Sequence, residues 1–80
     1  MMDNLLFITN KEEAKQILLS FKISKQKMLD ICEDNLHKAH NLITQLTLSG
    51  HSDNDSEILR LSNAAGFWET MGYEVLKIHI

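Results

Sequence analysis

An unbroken apolar stripe between Lys25 and Gly50 constrains this chain more than any other feature. In a helix, residues that recur at spacings of three and four lie on one face. The sequence therefore predicts a long central helix over residues of about 25–49 that ends at Gly50, because glycine adopts the left-handed cap conformation without steric cost. The stripe consists of Leu29, Cys32, Leu36, Ala39, Ile43 and Leu46.

Two further helices are predicted on either side of the central one. Before the first, Thr9 and Asn10 each stand three residues ahead of a glutamate, which is the capping-box spacing. Its apolar face is predicted to consist of Ala14, Ile17, Leu18 and Phe21, so this helix is placed at about 10–22. Ser24 is the predicted N-cap of the central helix, and Ser52, Asp53 and Asp55 supply caps for the third.

The third helix is placed at about 54–71, with Gly72 predicted to end it. The short apolar segment 4–9 is rich in strand formers, and the segment 73–80 alternates apolar and polar residues at its end. Both are predicted to be strands. The expected fold class is mainly α with short terminal strands, an α+β helical bundle of order β-α-α-α-β in one small domain, 1–80.

A homodimer is predicted because this domain has few other ways to stabilise its core. A chain of 80 residues buries only about 60% of its unfolded surface. A single cysteine, Cys32, permits no intrachain disulfide and favours a reducing compartment. Two strands make a poor sheet, whereas pairing across a two-fold axis gives four strands.

Catalysis has no support in the sequence, so no catalytic residue and no cofactor are predicted. The three glycines are isolated and form no phosphate loop. Cys32 stands within the apolar stripe, where a structural thiol is expected rather than a nucleophile. The apolar runs are too short to cross a bilayer, and the first residues do not resemble a signal peptide. The expectation is a cytoplasmic protein that is not an enzyme.

The leading hypothesis is a small protein-interaction module, a dimeric regulator or inhibitor that acts by binding another protein. Its basis is an excess of apolar and aromatic residues over what a thin layer of three helices buries, although the aromatic cluster also suits a domain core. The residues predicted for a partner or dimer interface are Ile31, Leu42, Leu59, Phe67, Trp68 and Tyr73.

The alternative hypothesis is a nucleic-acid-binding transcriptional regulator. The net charge is −3, yet the segment Lys11–Lys27 contains five lysines and only two glutamates. Within it, Lys22, Lys25 and Lys27 are the predicted phosphate contacts. A second version of this hypothesis uses polar side chains of the central helix in a helix-turn-helix: Asn35, His37, Lys38 and Asn41.

A third hypothesis is a metal-binding regulator. Glu33, His37 and His40 follow one another at i, i+4 and i+7, so they share a helical face that suits a transition metal. An ordinary exposed i,i+4 pair between Glu33 and His37 explains the same pattern without a metal. No metal site is therefore assigned from the sequence.

Overall fold

The computed structural model describes residues 5–52 and 55–78. Within them lie three α-helices, α1 at Lys11–Ser20, α2 at Lys25–Leu48 and α3 at Ser56–Leu76, and no strand. Most contacts between helices join α2 to α3, and α1 packs on α3. The two long helices are antiparallel, since Lys25 at the start of α2 donates from Nζ to the carbonyl of Leu76 at the end of α3, at 2.8 Å.

Each helix begins at a side chain that caps it. Asn10 Oδ1 accepts from the Glu13 amide at 3.0 Å, and Ser24 Oγ accepts from the Lys27 amide at 3.2 Å. These contacts satisfy amide donors that lack a partner within the helix. Of the two N-caps predicted for α1, Asn10 rather than Thr9 is the cap, and the predicted N-cap of α2, Ser24, is confirmed.

The end of α2 is a Schellman motif. Gly50 has φ of +95°, its amide donates to the Thr47 carbonyl, and the His51 amide donates to the Leu46 carbonyl, both at 3.1 Å. This left-handed conformation favours glycine because it has no Cβ. The predicted end of the central helix is confirmed.

The core lies along the line where α2 and α3 meet. The residues before α1, 5–10, which we call the N-terminal segment, cover this core on one side together with α1. Trp68 is the largest fully buried side chain, and Phe67 meets it edge to face with ring centroids 5.3 Å apart. The buried cluster comprises Leu5, Leu6, Ala14, Leu18, Met28, Cys32, Ala39, Leu61, Ala64, Ala65, Trp68, Met71 and Val75.

The predicted N-terminal strand at 4–9 is wrong for the part of it that the structure describes, residues 5–9. Leu5 and Leu6 are both buried, whereas neighbouring residues of a strand point to opposite faces. The Ile8 amide bonds to the Leu5 carbonyl in a turn, and the indole Nε1 of Trp68 donates to the Leu6 carbonyl at 3.1 Å. These backbone groups therefore have partners without a second strand.

The predicted C-terminal strand at 73–80 is also wrong, although its last two residues lie outside the described part. Gly72 does not end α3, which continues to Leu76. Trp68, Met71 and Val75 keep the helical spacing of three and four and are all buried, so tertiary packing holds the helix through the glycine. The α+β class is replaced by an all-helical fold in residues 5–52 and 55–78, and strand pairing no longer supports a homodimer.

Trp68→Phe tests the link between the N-terminal segment and the helical pair. The variant keeps an aromatic ring but leaves the buried Leu6 carbonyl without its donor, which costs about 1–3 kcal/mol. We expect the free energy of unfolding in urea to fall by that amount. Phe67→Leu, which also alters an aromatic ring but removes no hydrogen bond, is the comparison, and an equal loss in both variants would contradict a special role for the indole donor.

Asp55 at the N-cap of α3 gives the fold a dependence on pH. The hydrogen bond from His51 Nδ1 at 3.0 Å, followed by the bond from the Glu57 amide, lowers the pKa of Asp55 in the folded state. A carboxyl with a lowered pKa stabilises the fold above its unfolded pKa of about 3.9 and loses that contribution as the pH falls through its folded pKa. We expect Asp55→Asn to lose less stability than the parent protein when the pH is lowered from about 5 to about 2. Thermal melts measure this difference. His51→Gln should change the profile in the same direction, and an unchanged profile in both would contradict this account.

Candidate interaction surfaces

Two grooves lie on opposite sides of the buried stripe of α2. We call the first the α2–α3 groove, because both long helices line it on the side away from α1. Its volume is about 370 Å³. Its lining residues are Gln26, Leu29, Cys32, Glu33, Leu36, Trp68, Glu69, Gly72, Tyr73 and Leu76.

Apolar and aromatic side chains make up most of the α2–α3 groove. Leu29 and Leu36 are partly buried on α2, one helical heptad apart. On α3, Tyr73 and Leu76 are 62% and 56% exposed. Gly72 lines the same groove without a side chain, and its Cβ position faces open space. The groove is therefore apolar and open, with room for a side chain from outside.

Carboxylates give the rim of this groove a negative charge. Glu33 and Glu69 are exposed, and no lysine or arginine is among the lining residues. Glu33 Oε1 lies 3.5 Å from His37 Nε2, and both side chains remain more than two-thirds exposed. A ligand with positive charges beside an apolar face complements this surface.

Cys32 in the α2–α3 groove is a poor candidate for chemistry. The thiol is buried, and burial raises its pKa to about 11. It therefore stays protonated near neutral pH, and the thiolate is the nucleophilic form. Its role is packing, as the apolar stripe predicts.

The second surface, which we call the α2 groove, runs along α2 and has a volume of about 610 Å³. It shares Ile31 and Asp34 with a depression that reaches Phe21 and Ile23. At the other end of the α2 groove, Leu42 and Gln45 also line a smaller hollow. The lining of this hollow includes Phe7. The lining residues of the α2 groove are Ile31, Asp34, Asn35, His37, Lys38, Asn41, Leu42 and Gln45.

Asn35 is the unusual residue of the α2 groove. Its side chain is only 6% exposed, and its Nδ2 has no hydrogen-bond partner within the part of the chain that the structure describes. A buried amide without a partner costs free energy, so nearly all buried polar groups in proteins are paired. Asn35 is the one buried polar residue among residues 5–52 and 55–78.

The six residues predicted for an interface do not meet at one surface. Ile31 and Leu42 line the α2 groove, whereas Trp68 and Tyr73 line the α2–α3 groove. Leu59 is 52% exposed and lines neither groove. Phe67 is partly buried against the core and lines a separate depression with Thr9, Lys11, Asn63, Gly66, Thr70 and Met71.

The lysines predicted to contact nucleic acid differ in their environment. Lys25 bonds to the Leu76 carbonyl, so it stabilises the end of α3. Lys22 adopts a left-handed conformation with φ of 54° at the turn after α1. α2 runs without a break from Lys25 to Leu48, so no turn divides it into a helix-turn-helix. The binding of nucleic acid through Lys22, Lys25 and Lys27 stays a prediction.

The predicted metal ligands form a pair rather than a cluster. Glu33 and His37 are in contact, and His40 is exposed on the next turn of α2. In residues 5–52 and 55–78, no three His, Cys, Asp or Glu side chains come close enough to hold a metal ion. An exposed i,i+4 pair is the arrangement that the structure shows.

The comparisons with known proteins identify no relative. No family model, no curated protein and no solved structure matches the chain. Among the described helices, none combines the length and the apolar character needed to cross a bilayer.

Asn35 is predicted to lie on an exposed face of the central helix, whereas in the structure it is buried. The signal that identifies it is its spacing from a second apolar set on α2. Met28, Ile31 and Leu42 stand seven before, four before and seven after Asn35, so all four share a face. A polar residue at a position of an apolar set is expected to be partly buried.

Asn35→Leu tests the cost of this unpaired amide. Leucine is close to asparagine in size and shape, and it removes a buried donor that has no acceptor. We expect the free energy of unfolding to rise by about 1–3 kcal/mol, measured in urea. Asn63→Leu, at an exposed position of α3, is the matched control and should change stability by no more than about 0.5 kcal/mol. A loss of stability in Asn35→Leu would show that the amide has a partner in solution.

Proposed function

We propose that this chain is a protein-interaction module whose α2–α3 groove binds a basic amphipathic helix of another protein. The observation that carries the proposal is an open apolar groove between two antiparallel helices, with a rim of carboxylates. Tyr73 and Leu76 supply the exposed contact area, and tyrosine is among the residues that dominate binding energies.

A helix is the ligand that suits this shape. Leu29 and Leu36 on α2 and Leu76 on α3 line the two walls of a groove that runs parallel to the helix axes. Ridges of side chains on a helix of the partner fit such a groove. The apolar anchors of that helix would stand at i, i+3 or i+4, and i+7. Gly72 leaves a gap in the wall of α3 where a larger anchor can enter.

Charge selects among amphipathic helices. Lysine or arginine beside the apolar anchors would meet Glu33 and Glu69, whereas acidic residues would be repelled. A second copy of this chain would bring the same carboxylates together, which disfavours self-association through this groove. The proposed action is regulatory: a partner whose helix lies in the groove cannot present that helix elsewhere.

The test uses two labelled 18-residue helical peptides. Both have leucine at every third or fourth position, and the remaining positions are lysine in one peptide and glutamate in the other. We expect fluorescence anisotropy to show that the lysine peptide binds at least about tenfold more tightly than the glutamate peptide. Equal affinity for both peptides would contradict the role of the rim.

Matched variants locate the binding site. Leu76→Ser should weaken binding of the lysine peptide by about tenfold, because it removes an apolar contact at the groove. Leu48→Ser is the control, since Leu48 is an exposed leucine (82%) that does not line the groove. Glu69→Lys should weaken binding further than Glu12→Lys, a change of equal net charge at an exposed position of α1.

Other occupants of the groove would appear as distinct outcomes. Light scattering that shows a dimer sensitive to Leu76→Ser but not to Leu48→Ser would assign the groove to a second copy and overturn the proposal. An effect of Lys22→Glu and Lys27→Glu on binding of a DNA duplex, with steep salt dependence, would support the nucleic-acid hypothesis instead. Equal loss of peptide binding in both leucine variants would place the peptide outside the groove.

A further inference from the structure

The α2 groove combines features that the α2–α3 groove lacks. Its wall contains Asn35, whose buried Nδ2 donor has no acceptor within the described residues. Asn41 and Gln45 add two exposed carboxamides to the same groove. Ile31 and Leu42 place apolar surface four residues before and seven residues after Asn35. This face of α2 therefore offers hydrogen bonds together with apolar contact.

A carboxamide matches a peptide group in its chemistry. Each Asn or Gln side chain has an N–H donor and a C=O acceptor on one planar group, as the backbone does. An extended polypeptide leaves its own N–H and C=O groups unpaired, because no bond forms within a single strand. A carboxamide-lined groove can pair those groups, whereas a helix has already used them.

The charge of the α2 groove favours a neutral polypeptide over nucleic acid as its ligand. Asp34 and Lys38 line it with opposite charges, four residues apart on α2. A phosphate backbone requires an excess of positive charge. A neutral polar chain has no such requirement, so it fits this balanced surface better.

The length of the groove sets the size of the segment. Ile31 and Gln45 are fourteen residues apart on one helix, so they span roughly 21 Å at the rise of an α-helix. An extended chain advances about 3.3 Å per residue, so about six residues cover this distance. At the two ends, Phe21 and Phe7 line the adjoining depressions and offer aromatic contacts to the terminal side chains of the segment.

We infer that the α2 groove is a second binding site, for an extended polypeptide segment of about six residues, in which Asn35 donates a hydrogen bond to a backbone carbonyl. The Asn35 donor is covered in the free protein, so it reaches the ligand through a change of its side-chain rotamer towards the groove that it lines. The hydrogen bond that the free protein lacks then forms with the ligand. This site does not depend on the α2–α3 groove, since the two share no lining residue.

The probe is a capped, neutral hexapeptide with leucine at both ends and alternating threonine and valine between them. ¹H–¹⁵N NMR resolves the side-chain amide protons of asparagine directly. We expect the Asn35 side-chain protons to move downfield as peptide is added up to about 1 mM, together with the backbone amides of Ile31 and Leu42. No shift of the Asn35 side-chain protons over this range would overturn the inference.

Two variants separate binding from stability. Asn35→Leu should weaken hexapeptide binding by roughly tenfold while it raises the thermal midpoint, so a folding defect cannot explain the loss. Asn63→Leu should leave hexapeptide binding unchanged. Hexapeptide binding of equal strength in Asn35→Leu would show that the amide is not the donor.

The lysine peptide distinguishes this inference from the proposed function. It should bind Asn35→Leu as tightly as it binds the parent protein, because Asn35 does not line the α2–α3 groove. In the same way, Leu76→Ser should not alter hexapeptide binding. Competition between the two peptides for one site would overturn the inference of a second site and leave the α2–α3 groove as the only one supported.

Discussion

The indole of Trp68 connects parts of the chain that are far apart in sequence. Its ring is buried where α2 and α3 meet, and its N–H donates to the carbonyl of Leu6, sixty-two residues away. A buried carbonyl requires a donor, and the Leu6 carbonyl finds it in a side chain of α3 rather than in a second strand. The irregular conformation of the N-terminal segment thus depends on a side chain of α3. Arg60, which lies 3.8 Å above the Phe7 ring, holds the next residue of this segment by a cation–π contact.

This arrangement decides which side of the helical pair stays open. The N-terminal segment and α1 contact α3 through Arg60 and, by an ion pair of Lys11 with Glu74, near its end. Helical geometry places Glu69, Tyr73 and Leu76 on the other side of α3. Because α1 covers one side of the α2–α3 pair, the opposite side of the pair is exposed. None of the three helices within residues 5–52 and 55–78 covers the α2–α3 groove.

The helices were predictable because their signals are local and agree with one another. The apolar stripe of α2 has the helical period, Ser24 caps its start, and Gly50 ends it in the conformation that glycine favours. The predictions of terminal strands were wrong because a short apolar or alternating segment carries too little pattern to outweigh contacts distant in sequence. Leu5 and Leu6 are buried together by contacts distant in sequence, and α3 continues through Gly72 because Met71 and Val75 pack in the core. Neither packing can be deduced from neighbouring residues alone.

The surfaces were harder to predict than the helices, for a related reason. Periodicity shows that α2 has apolar residues beyond its main stripe, but not which of them a neighbouring element covers. Ile31 and Tyr73 line different grooves, because they lie on different sides of the α2–α3 pair. Asn35 shows the limit most clearly: its burial results from its place among Met28, Ile31 and Leu42, whereas its missing partner is visible only in three dimensions. A ligand that accepts a hydrogen bond from Asn35 would remove the cost of this unpaired donor, so the free energy of binding would include a bond that the folded chain does not form by itself.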